Sequence, residues 1–160
     1  MTKDITNQIK VLFIDDDSED MELFQDALKE CEPTAVLTWL RDGRKVKEHL
    51  IQKDIHLYNI IFLDINMPLI DGISCLKNIR EIPELGTIPV VMFSTYLFDN
   101  YIEESFFVGA NLYVQKPFDF GLYHTIFKKV FSAHWETKLL ETKKENYLLN
   151  IGQKSDVAML

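Results

Sequence analysis

Polar side chains that could bind a cation or a phosphoryl group follow the apolar runs of this 160-residue chain. They are Asp15 and Asp16 after the first run, Asp64 after the third, Ser94 after the fourth, and Lys116 two residues after the fifth. In an open parallel sheet the functional site lies beyond the carboxyl ends of the strands, so these groups are expected to converge. Three carboxylates brought together raise at least one pKa unless a cation neutralises them. The pattern predicts a site for a hard divalent cation, and Mg²⁺ suits such a set better than Ca²⁺ or Zn²⁺.

Each of these residues also has an ordinary structural explanation. Asp15 to Asp17 could simply cap the following helix, because acidic residues are common at helix starts. Lys116 taken alone matches a solvated lysine, and Ser94 taken alone matches a turn residue. Asp64 is harder to explain in this way, since a carboxylate at the end of so apolar a strand loses hydration without capping a helix. Asp64 is therefore expected to have an interaction partner or a chemical function.

The elements that would position these residues alternate along the chain to about residue 130. Short apolar runs alternate with amphipathic stretches, which is typical of a parallel sheet covered by helices. The predicted strands are Ile9–Ile14, Ala35–Leu40, Tyr58–Leu63, Ile88–Phe93 and Asn111–Val114. Predicted helices run from Ser18 to Cys31, over Gly43–Lys53, from Asp71 towards Pro83, over Asp99–Val108, and beyond Pro117. The chain is thus expected to be an α/β protein with a doubly wound, five-stranded sheet.

The C-terminal part has a weaker pattern. Helical spacing fades beyond Val130 through Trp135 and Tyr147, and no glycine-serine linker marks a boundary. We expect residues 1–131 to form one domain and residues 132–160 to be a C-terminal helical extension or tail rather than a separate domain.

Composition excludes several classes of function. The formal net charge is -8, with 25 acidic against 17 basic residues, so no broad cationic surface for nucleic acid is expected. The first ten residues lack an apolar signal core, and no apolar run approaches the ~20 residues of a membrane span. Cys31 and Cys75 are far apart and indicate neither a disulfide framework nor a zinc site. A soluble, cytoplasmic protein is expected.

Four stretches together resemble the receiver domains of bacterial two-component response regulators, of the single-domain, chemotaxis-regulator-like type without a DNA-binding output domain. The order and spacing of these stretches fit over roughly residues 8 to 131. They are Val11-Leu12-Phe13-Ile14-Asp15-Asp16, then Asp64-Ile65-Asn66-Met67-Pro68-Leu69-Ile70-Asp71-Gly72, then Pro89-Val90-Val91-Met92-Phe93-Ser94, and finally Gly109-Ala110 with Tyr113 and Lys116-Pro117. Chance agreement of one stretch is plausible, whereas agreement of four in order is not.

The resemblance implies a flavodoxin-like (βα)5 fold with strand order 2-1-3-4-5, and it assigns roles to the acidic residues. Asp64 would accept a phosphoryl group from a sensor histidine kinase or a histidine phosphotransfer protein, becoming an acyl phosphate. Mg²⁺, or Mn²⁺ in its place, would be held by Asp15, Asp16 and Asp64 and by the backbone carbonyl of Asn66. The signal would pass to a downstream protein target, and the sequence leaves open whether the chain forms a homodimer.

The resemblance also implies a switch. Lys116 would pair with one phosphoryl oxygen and Ser94 would hydrogen-bond another, after which Tyr113 would move inward and reshape the neighbouring surface. Asn66 and Tyr96 occupy the positions that tune the rate of dephosphorylation in this family, and Tyr96 could shield the site. The Lys116–Pro117 peptide bond is expected to be cis.

Other functions compete with this interpretation. A phosphatase of the haloacid dehalogenase type also uses an aspartate nucleophile, but it needs a second aspartate where this chain has Asn66. An adaptor that works without phosphorylation remains an alternative, although the retention of all five polar residues argues against it. A flavin-binding protein would need a hydroxyl-rich phosphate loop after the first strand, which this chain lacks. We expect no enzymatic activity beyond self-phosphorylation and slow autodephosphorylation.

Overall fold

A computed structural model of the chain describes residues 8–52, 57–133, 142–149 and 151. Strands and helices alternate as the sequence predicts. The strands are β1 Lys10–Ile14, β2 Val36–Leu40, β3 Ile60–Leu63, β4 Val90–Ser94, β5 Leu112–Gln115 and β6 Leu148–Leu149. The helices are α1 Ser18–Cys31, α2 Val46–Gln52, α3 Gly72–Arg80, α4 Asp99–Val108 and α5 Gly121–Phe131. Short 3-10 turns occupy Gly43–Lys45, Pro83–Leu85 and Lys144–Asn146.

The strands form one parallel sheet in the order β2-β1-β3-β4-β5-β6. The flavodoxin-like order predicted for the first five strands is therefore confirmed. Strands β3 and β4 are buried along their whole length. They read as unbroken apolar runs because helices cover both faces of the sheet.

Alternate side chains of each strand point to opposite faces of the sheet and pack into two separate cores, as the twofold period of a strand requires. Leu12, for example, lies in the core beneath α2, α3 and α4, whereas Phe13 lies in the core beneath α1 and α5. Phe24 of α1 stacks on Phe13 with ring centroids 4.3 Å apart and meets Phe127 of α5 at 5.0 Å. This packing fixes the first and last helices against the same face of the sheet.

Capping residues fix where α1 and α3 begin after the strands that precede them. Asp17 accepts hydrogen bonds from the backbone N–H groups of Glu19 and Asp20 at the start of α1. Asp71 does the same for Ser74 at the start of α3. A Cβ atom on Gly72 would lie 2.1 Å from the carbonyl oxygen of Asp64, so only glycine lets α3 begin this close to the end of β3.

The C-terminal part differs from the expected helical extension where the structure describes it. After α5, residues 142–149 form a 3-10 turn and then β6, a sixth strand that pairs in parallel with β5. The physical reason is the open edge of β5, whose backbone groups need partners: the N–H of Tyr113 donates to the carbonyl oxygen of Tyr147 at 2.8 Å. The rest of the predicted extension, residues 134–141, 150 and 152–160, lies outside the described residues.

Candidate functional site

Asp64 follows the last residue of β3 and is held there by backbone contacts. Its N–H donates to the carbonyl oxygen of Ile14 in β1 at 2.9 Å, and Gly72 packs against its carbonyl. Asp15 follows β1 in the same way and donates its N–H to Leu40 of β2 at 3.3 Å. Both carboxylates are buried, with Asp15 at 0% and Asp64 at 4% exposure. The parallel register of β1 and β3 therefore brings two acidic side chains to one edge of the sheet, as predicted.

Lys116 reaches this edge from the loop after β5. Its Nζ lies 2.7 Å from Oδ2 of Asp15, 2.7 Å from Oδ2 of Asp20 and 3.2 Å from Oδ1 of Asp64. Only 9% of the Lys116 side chain is exposed. One ammonium group thus faces three carboxylates in a largely dehydrated setting, where charge interactions are strong.

The pKa values of these groups reflect burial and mutual charge. Burial raises the pKa of Asp15 to about 6, although Lys116 opposes the shift. Burial also raises the pKa of Asp64, again against the effect of Lys116. For Lys116 burial favours the neutral amine, but Asp64 and Asp15 outweigh it and raise the pKa. Lys116 therefore remains a cation, and a further positive charge would stabilise the ionised carboxylates.

A divalent cation fits this set of residues. One carboxylate oxygen from each of Asp15, Asp16 and Asp64 lies within 4.8 Å of the other two, which is the grouping predicted from the sequence. Oxygens on opposite sides of one Mg²⁺ lie about 4.2 Å apart, so only small adjustments are needed. Asp16 is half-buried, and Asn66 is exposed in the loop that follows Asp64.

Ser94 and Tyr113 lie on the neighbouring strands β4 and β5, and both hydrogen-bond to backbone groups of Tyr96. Ser94 is fully buried at the end of β4, and its Oγ accepts a hydrogen bond from the N–H of Tyr96 at 3.2 Å. The hydroxyl of Tyr113 donates to the carbonyl oxygen of Tyr96 at 2.6 Å. The ring of Tyr113 is fully buried, whereas Tyr96 is 47% exposed and stacks on Phe98 with centroids 5.2 Å apart. Tyr113 therefore occupies an inward position.

Two features differ from or add to the sequence prediction. No cis peptide bond occurs among the described residues, so the expected cis form of Lys116–Pro117 is wrong and the bond is trans. The trans isomer is intrinsically the more stable of the two for an X–Pro bond. Asp20 was not predicted at all, yet it provides one of the closest contacts to Lys116. The available signal was its place in the first turn of α1, directly after the acidic residues Asp15 and Asp16.

Comparison with known proteins agrees with this geometry. Residues 11–128 match the response regulator receiver domain, which is well over half of the chain. The chain belongs to the response regulator receiver domain family. Response regulator Rcp1 of Synechocystis is 33% identical over 110 residues, which span 66% of this chain and 75% of Rcp1. A probable methanogenesis regulatory protein of Methanothrix harundinacea, FilR2, is 27% identical over 113 residues, 69% of this chain and 73% of its own length.

Solved receiver structures superpose on this chain. The Mn²⁺-bound form of Rcp1 gives a TM-score of 0.69 at 28% identity and covers 78% of this chain and 96% of Rcp1. The phosphorylated cyanobacterial phytochrome response regulator RcpA gives a TM-score of 0.69 at 28% identity and covers 85% of this chain and 96% of RcpA.

Receiver domains interact with histidine kinases or phosphotransfer proteins and with downstream targets. The receiver fold is also consistent with a regulator that has no separate catalytic activity. In the part of this receiver domain that the structure describes, no helix has both the length and the hydropathy of a membrane span.

Proposed function

We propose that this receiver domain accepts a phosphoryl group on Asp64 from a phosphohistidine of a sensor kinase or phosphotransfer protein, and then signals by binding a protein target. The observation that carries the proposal is the convergence of Asp64 with Lys116 and the acidic pair Asp15 and Asp16 at the carboxyl edge of the sheet. We also propose that the chain works in the cytoplasm.

The proposed transfer needs little rearrangement of the protein. A carboxylate oxygen of Asp64 attacks the phosphorus atom, the N–P bond of the phosphohistidine breaks, and the imidazole retains the electron pair. Charge on the transferred oxygens is offset by Lys116, whose Nζ already lies 3.2 Å from Oδ1 of Asp64. Lys116 must loosen its contacts with Asp15 and Asp20 to do so, and it keeps its proton throughout because its pKa is raised.

The acidic residues around Lys116 support the use of a divalent cation. Asp15, Asp16, Asp64 and the carbonyl of Asn66 would hold Mg²⁺ or Mn²⁺, which would offset the negative charge that develops during transfer. The similarity to Rcp1, whose structure contains Mn²⁺, supports this assignment. Asp15 and Asp64, whose pKa values burial raises, ionise more readily once such a cation is bound.

The contacts of Ser94 support a conformational readout. A phosphoryl group on Asp64 offers a new acceptor for the Ser94 hydroxyl, which now lies against the N–H of Tyr96. A shift of Ser94 therefore acts on the loop after β4, and through the carbonyl of Tyr96 on Tyr113. The exposed Tyr96 and Asn66 lie in the loops beside the site and would set how readily water removes the phosphoryl group.

Other functions have less support. A phosphatase of the haloacid dehalogenase type would need a general acid where the exposed amide Asn66 lies. A purely structural adaptor gives no reason to bury Asp15 and Asp64 with an excess of negative charge. We propose that the chain has no enzymatic activity beyond its own phosphorylation and slow dephosphorylation.

The test is covalent labelling of the intact chain. Acetyl phosphate or phosphoramidate with Mg²⁺ should add one phosphoryl group, detected by intact mass, and Asp64→Asn should abolish the addition. Asp17→Asn is the matched control, because asparagine also caps a helix and Asp17 caps α1 beside the cluster. Equal labelling of wild-type and Asp64→Asn proteins would contradict the proposal, as would labelling that is unaffected by removal of Mg²⁺.

A further inference from the structure

A C-terminal segment, defined as residues 142–149 and 151, is packed onto the open edge of β5. The N–H of Tyr113 donates to the carbonyl of Tyr147 at 2.8 Å, and Leu148 and Leu149 continue the pairing opposite Tyr113 and Val114. Ile151 is 6% exposed and joins the core beneath α1 and α5. Lys144 adds an ion pair of 2.7 Å with Glu103 of α4. The segment thus contacts the sheet edge and α4 together.

Tyr147 anchors this segment between α4 and β5. Its side chain is fully buried, and its hydroxyl lies 2.7 Å from Oγ of the buried Ser105 in α4. The ring meets Phe106 at 5.2 Å and Tyr113 at 6.3 Å, in edge-to-face contacts. A buried aromatic side chain with a satisfied hydroxyl is a strong and specific anchor. The exposed Leu148, by contrast, contributes little to the docking.

The anchor is connected to the phosphoacceptor edge by a short series of contacts. Ser94 accepts from the N–H of Tyr96, and the carbonyl of Tyr96 accepts from the hydroxyl of Tyr113. Tyr113 then contacts Tyr147 through both its backbone N–H and its ring. Because the Tyr147 ring packs against the Tyr113 ring, the docked segment limits the room that Tyr113 has to leave its buried position.

We propose that the C-terminal segment is an intramolecular ligand of the slot between α4 and β5, which is the space that Tyr147 fills. Docking of the segment and phosphorylation of Asp64 then favour each other, because both favour the inward position of Tyr113. This inference rests on the proposed function. The docked segment holds Tyr113 in the position that phosphorylation is expected to favour. Because coupling free energies are reciprocal, phosphorylation then tightens the docking by the same factor by which docking stabilises the phosphorylated state.

Hydrogen exchange of the full chain tests the coupling. Amides of residues 147–149 should exchange about fivefold or more slowly when beryllofluoride and Mg²⁺ are present, fivefold being the lower end of typical couplings. Tyr147→Ala should accelerate their exchange and abolish the beryllofluoride effect. Leu148→Ala is the matched control, because it shortens an exposed side chain of the same segment and should behave like wild type. Exchange that beryllofluoride leaves unchanged in the wild-type chain would overturn the coupling.

Phosphorylation gives the reciprocal measurement. At a limiting acetyl phosphate concentration, Tyr147→Ala should reach a lower phosphorylated fraction than wild type and Leu148→Ala. Tyr147→Phe keeps the ring and loses only the contact with Ser105, so it remains informative if Tyr147→Ala fails to fold. It should give a phosphorylated fraction between those of Tyr147→Ala and wild type. Equal fractions in all four proteins would contradict the proposal.

The outcomes separate this inference from the function on which it rests. Failure of Asp64 to take up any phosphoryl group defeats both, yet exchange in the ligand-free Tyr147→Ala chain still reports whether the segment docks. Normal phosphorylation with an uncoupled segment defeats only the inference. A dimer whose segment exchange slows as protein concentration rises would show that the slot is filled by a second copy, which overturns the intramolecular assignment.

Discussion

Lys116 and Arg80 are both half-buried cations, but their surroundings differ. Lys116 faces the carboxylates of Asp15, Asp20 and Asp64. Arg80, at the end of α3, instead donates to neutral acceptors within 3.0 Å. These are the carbonyl oxygens of Gly109, Leu85 and Ile88 and the side-chain oxygen of Asn111. Burial lowers the pKa of Arg80 to about 10, whereas neighbouring carboxylates raise the pKa of Lys116 despite its burial.

The difference separates a structural contact from the proposed phosphoacceptor site. Arg80 ties α3 to the start of β4 and the end of α4, and its hydrogen bonds leave no unmet requirement for a ligand. Around Lys116, one ammonium group cannot neutralise the several carboxylates that surround it. Excess negative charge in a buried position is unfavourable without a further cation, and a bound metal ion would relieve it.

The largest expected effect is that of Lys116→Met on phosphorylation. Loss of the ammonium removes a charged contact to the phosphoryl oxygens, so the rate of labelling by acetyl phosphate should fall on the order of 100-fold. The initial rate of mass gain checks this result. Lys77→Met is the matched control, because Lys77 pairs with Glu104 on the surface and should leave the rate unchanged. A Lys116→Met protein that labels at the normal rate would remove Lys116 from the reactive site.

Arg80→Met should instead reduce stability without affecting the chemistry. The change leaves buried carbonyls without donors, and the free energy of unfolding should fall by about 3 kcal/mol, as is typical when buried polar partners are lost. Urea unfolding measures the loss, and Arg44→Met, at an exposed ion pair with Asp42, should cost much less stability. Labelling of the folded Arg80→Met protein should match wild type. A folded variant that no longer labels would show that the two cations are not separate in function.

The stability of the metal-free protein should depend on pH through Asp15. Asp15 has a folded pKa of about 6 against an ordinary value of 3.8, so the folded state binds more protons between these values. The contribution of Asp15 to stability is therefore present at low pH and is lost as pH rises through about 6. Urea unfolding in a chelator should show a smaller fall over this range for Asp15→Asn than for wild type. Added Mg²⁺ should diminish the wild-type fall, and coincident profiles of the two proteins would contradict the assigned cause.

The sequence was most informative where an apolar run stops. Asp15, Asp64 and Ser94 could be placed because continuous apolar strands must be central, and the carboxyl ends of parallel central strands meet. Lys116 followed from the same reasoning. The flavodoxin-like order of the first five strands came from the family resemblance, which the observed sheet confirms.

Two other sets of non-local contacts were beyond the reach of sequence patterns. Leu148 and Leu149 form a strand of only two residues after a polar stretch, and their pairing with β5 depends on an edge formed more than 30 residues earlier. Arg80 looks like an ordinary basic residue at a helix end, because the carbonyls that surround it come from distant loops. Neither role leaves a periodic signal in the chain.

Asp20 lies between these cases and gives the smallest expected effect. It contacts Lys116 at 2.7 Å, but its side chain is 32% exposed, so water shares in solvating it. Asp20→Asn should therefore lower the free energy of unfolding by only about 0.5 kcal/mol, as for partly exposed ion pairs. Labelling of Asp64 should persist, because Asp15 and Asp64 still hold Lys116 at the site. Urea unfolding and mass gain measure the two quantities together, with Glu19→Gln as the control in the same helical turn. Loss of labelling in Asp20→Asn would instead place Asp20 among the residues that the transfer requires.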